Sequence, residues 1–295
     1  MDTLQEKIAF AFELIDTGYY LRAETIADRI LKSKEPEGQI DALHIKALSL
    51  YQSGYLKKSF EVFQRLLKIN SEHEDGLYYT ALLFSEEGHF LAAQKFVDQL
   101  LIKRPDSIPY IELKAEIAFF LGQLDEVLYL YDRILTLQPN SFEILFERAD
   151  ILRKMGQFDD SIQAYQNLLN SQIVIPENEA LLLNNIGFNY SLKEDYHRAK
   201  GYLEKAYKLD QEHPFILNNL GFVYAQLGNI KSGLNLIEWA IRIDPLNSYA
   251  HKNHAKVMLL QGKTKKAHKA LLKAQNLNYH LHFDDEVDQL LKNSF

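Results

Sequence analysis

The chain has 295 residues, and its apolar (47%) and charged (25%) fractions exclude a disordered protein. It contains no cysteine, which excludes disulfides and thiolate metal sites, and its net charge of −7 disfavours nucleic acid as a partner. The N-terminus carries acidic residues where a signal peptide would be basic, and no apolar run approaches the ~18 residues of a membrane span. We therefore expect a cytoplasmic protein that binds neither nucleic acid nor membrane.

Glycine recurs along the chain at a spacing of mostly 34 residues. The recurring glycines, each followed two residues later by an apolar residue, are Gly18, Gly54, Gly88, Gly122, Gly156, Gly228 and Gly262. Glu194 takes the corresponding place between Gly156 and Gly228. Seven residues before each site the side chain is small: Ala11, Ala47, Ala81, Ala115, Ala149, Gly187, Gly221 and Ala255. Five residues after each site it is again mostly small: Ala23, Ser59, Ala93, Val127, Ser161, Ala199, Gly233 and Ala267. Two such columns indicate an internal repeat.

Each repeat has apolar residues at helical spacing on both sides of its glycine. Leu217, Leu220 and Tyr224 precede Gly228, and Ile230 and Ile237 follow it. Two amphipathic helices joined by a glycine turn form a helical hairpin, and the small residues let the paired helices approach closely. Because one hairpin cannot bury its apolar face alone, we expect the hairpins to stack into a solenoid.

The segments LNNIGFNYSLKEDYHRAKGYLEKAYKLD and LNNLGFVYAQLGNIKSGLNLIEWAIRIDP resemble the tetratricopeptide repeat (TPR). The resemblance covers nearly the whole chain and implies an all-α, right-handed solenoid of stacked antiparallel hairpins. In chain order the predicted repeats are Leu4–Lys34, Ile40–Glu72, Glu74–Ser107, Ile108–Ser141, Phe142–Ile173, Ala180–His213, Pro214–Asn247 and Ser248–Tyr279. The array thus spans residues 1–279, with a possible hinge at 172–179 between repeats 1–5 and 6–8. Residues 280–295 are predicted to hold a C-terminal capping helix, at Asp284–Lys292.

The family resemblance also implies that the first helix of each hairpin lines a concave groove. The predicted groove residues fall into three zones. The aromatic zone of repeats one to three contains Phe12, His44, Leu48, Tyr51, Tyr78 and Leu82. The acidic zone of repeats four and five contains Glu112, Glu116, Glu143, Glu147 and Asp150. The amide zone of repeats six to eight contains Asn184, Asn185, Asn218, Asn219, Lys252, Asn253 and Lys256.

The amide zone is the main candidate for a ligand site. Asn185, Asn219 and Asn253 share one column at 34-residue spacing, and an asparagine amide can both donate to and accept from a peptide unit. With Lys252 and Lys256 they could hold an extended segment that ends in a carboxylate. Alternatively, the amides bond only within the protein. The pattern does not match the two-lysine, two-asparagine, one-arginine carboxylate clamp of chaperone-binding relatives.

Two further features allow alternative interpretations. Trp239 shares its column with polar residues in other repeats, so we expect it to be exposed on the convex face, either as a contact site or packed on a long neighbour. The late histidines, with Asp284 and Asp285, have two interpretations: a metal site, or core and surface histidines without a ligand role.

No catalytic triad or phosphate loop stands out. The sequence therefore favours a non-catalytic scaffold or adaptor that holds a protein or extended peptide in its groove, without cofactor or metal. A structural or self-assembling subunit, forming a homo-oligomer, and a peptide-responsive regulator are the alternatives.

Overall fold

The computed structural model describes residues 3–33, 37–277 and 286–293. Within these ranges it contains seventeen α-helices and no strand. The helices are α1 Leu4–Asp16, α2 Tyr20–Ser33, α3 Gln39–Gln52, α4 Leu56–Ile69, α5 Glu74–Glu86, α6 Phe90–Lys103, α7 Ile108–Phe120, α8 Leu124–Leu137, α9 Phe142–Lys154, α10 Phe158–Leu169, α11 Pro176–Leu192, α12 Tyr196–Leu209, α13 Pro214–Gln226, α14 Ile230–Ile243, α15 Ser248–Leu260, α16 Thr264–Asn276 and α17 Glu286–Asn293. The first sixteen pair into the eight predicted hairpins, and the all-α class is confirmed.

The chain divides into two compact units. Unit 1, Met1–Pro139, contains α1–α8, and unit 2, Asn140–Phe295, contains α9–α17. Within each unit, the second helix of one hairpin packs against the first helix of the next. None of the described helices is long and apolar enough to cross a membrane.

The turn of each hairpin is made by a residue in the left-handed conformation. Gly54 has φ 79°, its N–H donates to the carbonyl of Tyr51 (2.9 Å), and the N–H of Tyr55 donates to that of Leu50 (2.9 Å). These two hydrogen bonds satisfy carbonyls at the helix end that have no donor within the helix. Glu194 adopts the same conformation with φ 59°, which costs a residue with a side chain ~1 kcal/mol or more. The turn conformation therefore accounts for the glycine period.

The two columns of small residues meet inside the hairpins. Their alanines, serines and Val127 are all essentially inaccessible to solvent. In the second hairpin the Ser59 hydroxyl donates to the Ala47 carbonyl (2.8 Å), and in the fifth Ser161 donates to Ala149 in the same way (2.7 Å). Small side chains at these columns thus set the helix separation, as the sequence predicted.

In the seventh hairpin both columns hold glycine, and the backbones of its two helices approach closely. A Cβ added at Gly221 would lie 2.6 Å from the carbonyl oxygen of Gly233. No side chain can replace glycine there without moving α13 and α14 apart.

The end of unit 2 is covered by α17. Val287 is buried in the cluster formed by the last hairpin, where it accompanies Ala255 and Leu271. This helix lies in the segment predicted as a cap, whose residues 280–285 and 294–295 are outside the described ranges. Of the possible hinge at 172–179, Ile173 and Val174 pack against a core cluster of unit 2, and the hinge remains a prediction.

Candidate peptide-binding groove

The asparagines of the amide zone lie on three neighbouring helices of unit 2, and their amides bond to one another. Asn253 Nδ2 donates to Asn218 Oδ1 (3.1 Å), and Asn218 Nδ2 donates to Asn219 Oδ1 (3.2 Å). Asn219 Nδ2 donates to Asn184 Oδ1 (3.0 Å), and Asn184 Nδ2 donates to Asn185 Oδ1 (3.1 Å). We call this series, which joins α15, α13 and α11, the asparagine chain.

The asparagine chain ends at an ion pair on α9. Asn185 Nδ2 donates to the phenol oxygen of Tyr165 (3.2 Å), and that phenol donates to Asp150 Oδ1 (2.7 Å). Arg153 Nη2 donates to the same oxygen (2.6 Å). Burial, and then the charge of Asp150, raise the pKa of the Tyr165 phenol far above its usual value, so the phenol keeps its proton. All donors from Asn253 to Tyr165 therefore point toward Asp150, an arrangement in which each bond polarises the next.

The interior members of the asparagine chain keep unused hydrogen-bonding capacity. An amide has two N–H donors and two carbonyl lone pairs, and Asn185 and Asn219 each use one of each in the chain. Both line a cavity, as does Asn184, whereas the buried Asn218 and Asn253 do not. The predicted column is thus not a direct ladder, because its members connect through Asn184 and Asn218.

The cavity has a volume of about 170 Å³ and lies among α9, α11, α13 and α15. It is lined by Asp150, Arg153, Leu181, Asn184, Asn185, Phe188, His213, Phe215, Asn219 and Tyr249. Phe188 and Phe215 each meet the Tyr249 ring edge-on, with centroids 6.5 and 6.4 Å apart. The Arg153 guanidinium lies 5.3 Å from the centroid of Phe188. We call this cavity the aromatic pocket; it can accept an apolar or aromatic side chain beside two amides.

The two lysines of the amide zone bind a carboxylate of the protein itself. Lys252 Nζ donates to Glu286 Oε2 (2.7 Å), and Lys256 Nζ donates to Glu286 Oε1 (2.8 Å). Although burial opposes it, the lysines lower the pKa of Glu286 to about 2. Lys252 Nζ lies 5.4 Å from the centroid of the Tyr249 ring, and Lys256 Nζ lies 5.0 Å from the centroid of the Phe222 ring. The position predicted for a ligand's carboxylate is therefore occupied by a residue of α17, which sequence reasoning missed although Glu286 follows Lys252 by one 34-residue period.

The family comparison agrees with this geometry. The tetratricopeptide-repeat family profile matches residues 140–212, which contain two hairpins of unit 2. The same turn and the same small columns occur in all eight hairpins. The chain carries tetratricopeptide repeats. No curated protein sequence matches it.

Solved structures resemble this chain at low sequence identity, and the two with a TM-score above 0.5 show the shared fold alone. The crystal structure of the APC/C hetero-tetramer Cut9–Hcn1 is 17% identical with a TM-score of 0.58, covering 98% of this chain and 55% of that one. The pilF structure from Pseudomonas aeruginosa is 14% identical with a TM-score of 0.51, covering 69% and 91%. A tetratricopeptide repeat protein from Parabacteroides merdae is 14% identical with a TM-score of 0.45, covering 98% and 97%. This chain spans about half the length of the Cut9–Hcn1 chain, and the likeness shows the fold alone.

The aromatic zone of the TPR array lies in unit 1 and is largely packed. Phe12 meets the buried His44 edge-on at 5.3 Å, and Tyr78 lies 5.7 Å from Tyr110. The remaining members of the zone, partly buried against the core clusters of unit 1, are Leu48, Tyr51 and Leu82. Tyr51 donates to Glu86 (3.3 Å), and burial, followed by that carboxylate, raises the pKa of Tyr51 to about 12. A binding role for this zone remains a prediction.

The TPR columns did not predict a polar cavity that the structure shows in unit 1. It is lined by His44, Asn70, Glu72, His73, Glu74, Asp75, Arg104 and Tyr110. His44 Nε2 lies 3.0 Å from Asp75 Oδ2, and the nearby His44 ring lowers the pKa of Asp75. Three of these residues, Asn70, Glu72 and His73, lie in the loop between α4 and α5, outside the predicted groove columns, so only the structure brings the set together.

Trp239 is less exposed than its column suggested. It lies half-buried on α14 against the cluster of Leu217, Ala240 and Ala250. A contact role for Trp239 remains a prediction.

The late histidines of the last TPR hairpin have partners within the protein. His251 Nε2 bonds to the Pro245 carbonyl (3.0 Å), and His254 Nε2 lies 3.6 Å from Glu238 Oε1. In the described part of the chain, no cluster of three or more histidine, aspartate or glutamate residues could hold a metal ion. His280, His282, Asp284 and Asp285 lie outside the described residues.

Proposed function

We propose that this TPR chain is a non-catalytic cytoplasmic scaffold that holds an extended segment of a partner protein on α11, α13 and α15. The observation that carries the proposal is the pairing of two half-used amides, Asn185 and Asn219, with the aromatic pocket. The amides supply contacts that any peptide backbone can satisfy, and the pocket supplies selectivity for one side chain.

The amides suit a peptide backbone because each keeps one donor and one acceptor. A peptide unit offers a carbonyl and an N–H at matching positions, and each bond contributes ~1 kcal/mol net. The asparagine chain holds Asn185 and Asn219 in fixed rotamers, so less side-chain entropy is lost when a ligand binds.

The aromatic pocket suits one large apolar or aromatic side chain. Its rings are partly held by their mutual contacts, and Phe215 remains 44% exposed. Covering this exposed phenylalanine with a ligand side chain would remove apolar surface from water, which favours binding. With backbone bonds alongside, we expect dissociation constants in the micromolar range, ~1–100 μM.

The test is a selection of random 12-residue peptides on the full-length chain, followed by fluorescence anisotropy with individual selected peptides. Phe215→Ala should weaken binding at least fivefold, about 1 kcal/mol or more. Phe120→Ala is the matched control, because Phe120 is an exposed phenylalanine (56%) in unit 1, and it should leave the affinity unchanged.

A second readout separates backbone from side-chain recognition. N-methylation along a selected peptide should weaken binding at the positions that face Asn185 and Asn219, while alanine substitution should matter mainly at the side chain in the pocket. Peptides that bind Phe215→Ala and the wild type equally well, and that tolerate N-methylation throughout, would contradict the proposal.

A further inference from the structure

The outward face of α16 carries an unusual concentration of lysine. Lys265, Lys266, Lys269 and Lys273 are all exposed, and none of them makes an ion pair with any residue that the structure describes. Residues 246–283 contain seven lysines and no acidic residue. Because the whole chain has a net charge of −7, the rest of the sequence carries −14.

These four lysines share one side of the helix. At 100° per residue they fall within an arc of about 100°, opposite the buried Ala267, Ala270, Leu271 and Ala274. From Lys265 to Lys273 the helix rises about 12 Å, the span of about four residues of extended chain. We call this surface the α16 lysine face.

The arrangement lowers the stability of the helix that carries it. Lys265 and Lys269, and likewise Lys269 and Lys273, are like charges one turn apart, which destabilise a helix. Lys265 and Lys266 also lie in the first turn, where the helix dipole favours acidic residues and α16 has none. In α8 and α10 the same two turn positions hold acidic pairs, Asp125–Glu126 and Asp159–Asp160. Charges placed against local stability are typical of a binding surface.

We propose that the α16 lysine face is a second docking surface, separate from the groove, and that it binds an acidic segment of a partner protein. Charge complementarity is the argument for an acidic partner. Four unpaired cations on a strip about 12 Å long match a short run of aspartate and glutamate. Such a contact accelerates association and is sensitive to salt.

The composition of the face disfavours other anionic partners. It contains no arginine and no aromatic residue, which proteins use to stack on nucleic-acid bases. Its only large apolar side chain is Leu272, 41% exposed, which is too little apolar surface for insertion into a lipid layer.

The experiment compares two variants of equal charge change in the full-length chain. One carries Lys265→Gln, Lys269→Gln and Lys273→Gln. The control carries Lys57→Gln, Lys58→Gln and Lys68→Gln, three exposed lysines of α4. The probe is a labelled 12-residue peptide of alternating glutamate and serine. Its binding is measured by fluorescence anisotropy at low salt. Circular dichroism checks that both variants keep their helices.

The proposal predicts that the α16 variant binds the acidic peptide about tenfold or more weakly, while the α4 variant binds like the wild type. Equal weakening in both variants, or none in the α16 variant, overturns it. Single-stranded DNA and vesicles containing anionic phospholipid, which are negatively charged like the peptide, serve as competitors. If either binds the α16 lysine face more tightly than the acidic peptide, the assignment to an acidic protein segment is wrong.

Discussion

Replacing Asn219 by alanine is the most informative perturbation of the asparagine chain. Asn219 is nearly buried (9% exposed), donates to Asn184 and accepts from Asn218. Its removal breaks the chain at its middle and leaves a carbonyl oxygen and an N–H without these partners.

The expected cost follows from these contacts. Two hydrogen bonds are lost, each contributing ~1 kcal/mol, and Asn184 (4% exposed) and Asn218 (1% exposed) have little access to replacement water. An unsatisfied buried group costs ~1–3 kcal/mol, and the higher helix propensity of alanine returns about 0.5 kcal/mol. We therefore expect the free energy of unfolding of unit 2 to fall by about 2–4 kcal/mol.

Urea denaturation monitored by tryptophan fluorescence measures this change. Trp239 is the only tryptophan in the sequence and lies half-buried in unit 2, so its emission reports on the unit that contains the substitution. The control is Asn167→Ala, which removes an exposed asparagine that accepts from Gln163 (2.8 Å) on α10. That change should leave stability within about 0.5 kcal/mol of the wild type.

If Asn219→Ala costs no more than Asn167→Ala, the asparagine chain does not stabilise unit 2. A double-mutant cycle sharpens the result, because Asn184→Ala and Asn219→Ala remove the same hydrogen bond. The two changes should couple by about 1 kcal/mol or more, whereas additive effects would show that the amides act independently.

The same fluorescence assay checks three further predictions. Gly221→Ala should destabilise unit 2 by about 1–3 kcal/mol, since its Cβ meets the backbone of α14, whereas Gly201→Ala, with nothing within 4 Å, should stabilise it by about 0.5–1 kcal/mol. Glu194→Gly should stabilise unit 2 by about 1 kcal/mol, because glycine adopts φ 59° without a steric cost; an unchanged urea midpoint would count against this. Glu286 has a pKa of about 2, below its ordinary 4.5, so its ionised form stabilises the fold above about pH 5 and loses that effect as the pH falls toward 2. The difference in urea midpoint between wild type and Glu286→Gln should therefore vanish over that range, and a difference that persists at pH 2 would contradict the ion pair with the lysines.

The fold could be predicted from the sequence because its geometry constrains residue size at fixed intervals. Ala47 and Ser59 must be small where two helices meet, and Gly54 must tolerate a left-handed turn. Even Glu194 could be assigned to its turn from the 34-residue register alone. Such constraints recur in every repeat, and one sequence therefore reveals them.

The site could be predicted only to the level of columns. The 34-residue period places Asn185 and Asn219 in one column, but the bond from Asn219 runs diagonally to Asn184, and this depends on rotamers that spacing does not specify. The partner of Lys252 could in principle be predicted from the sequence, because Glu286 continues the column of Lys252. The burial of Trp239 could not be predicted from the sequence, since it depends on the residues of neighbouring helices that pack against it.

We propose that unit 2 holds an extended peptide on α11, α13 and α15 beside the aromatic pocket. Hydrogen–deuterium exchange of the full-length chain, with and without a saturating selected peptide, tests it most directly. We expect added protection centred on residues 181–188, 213–219 and 249–253. Protection confined to unit 1 or to α16, with these segments unchanged, would contradict it.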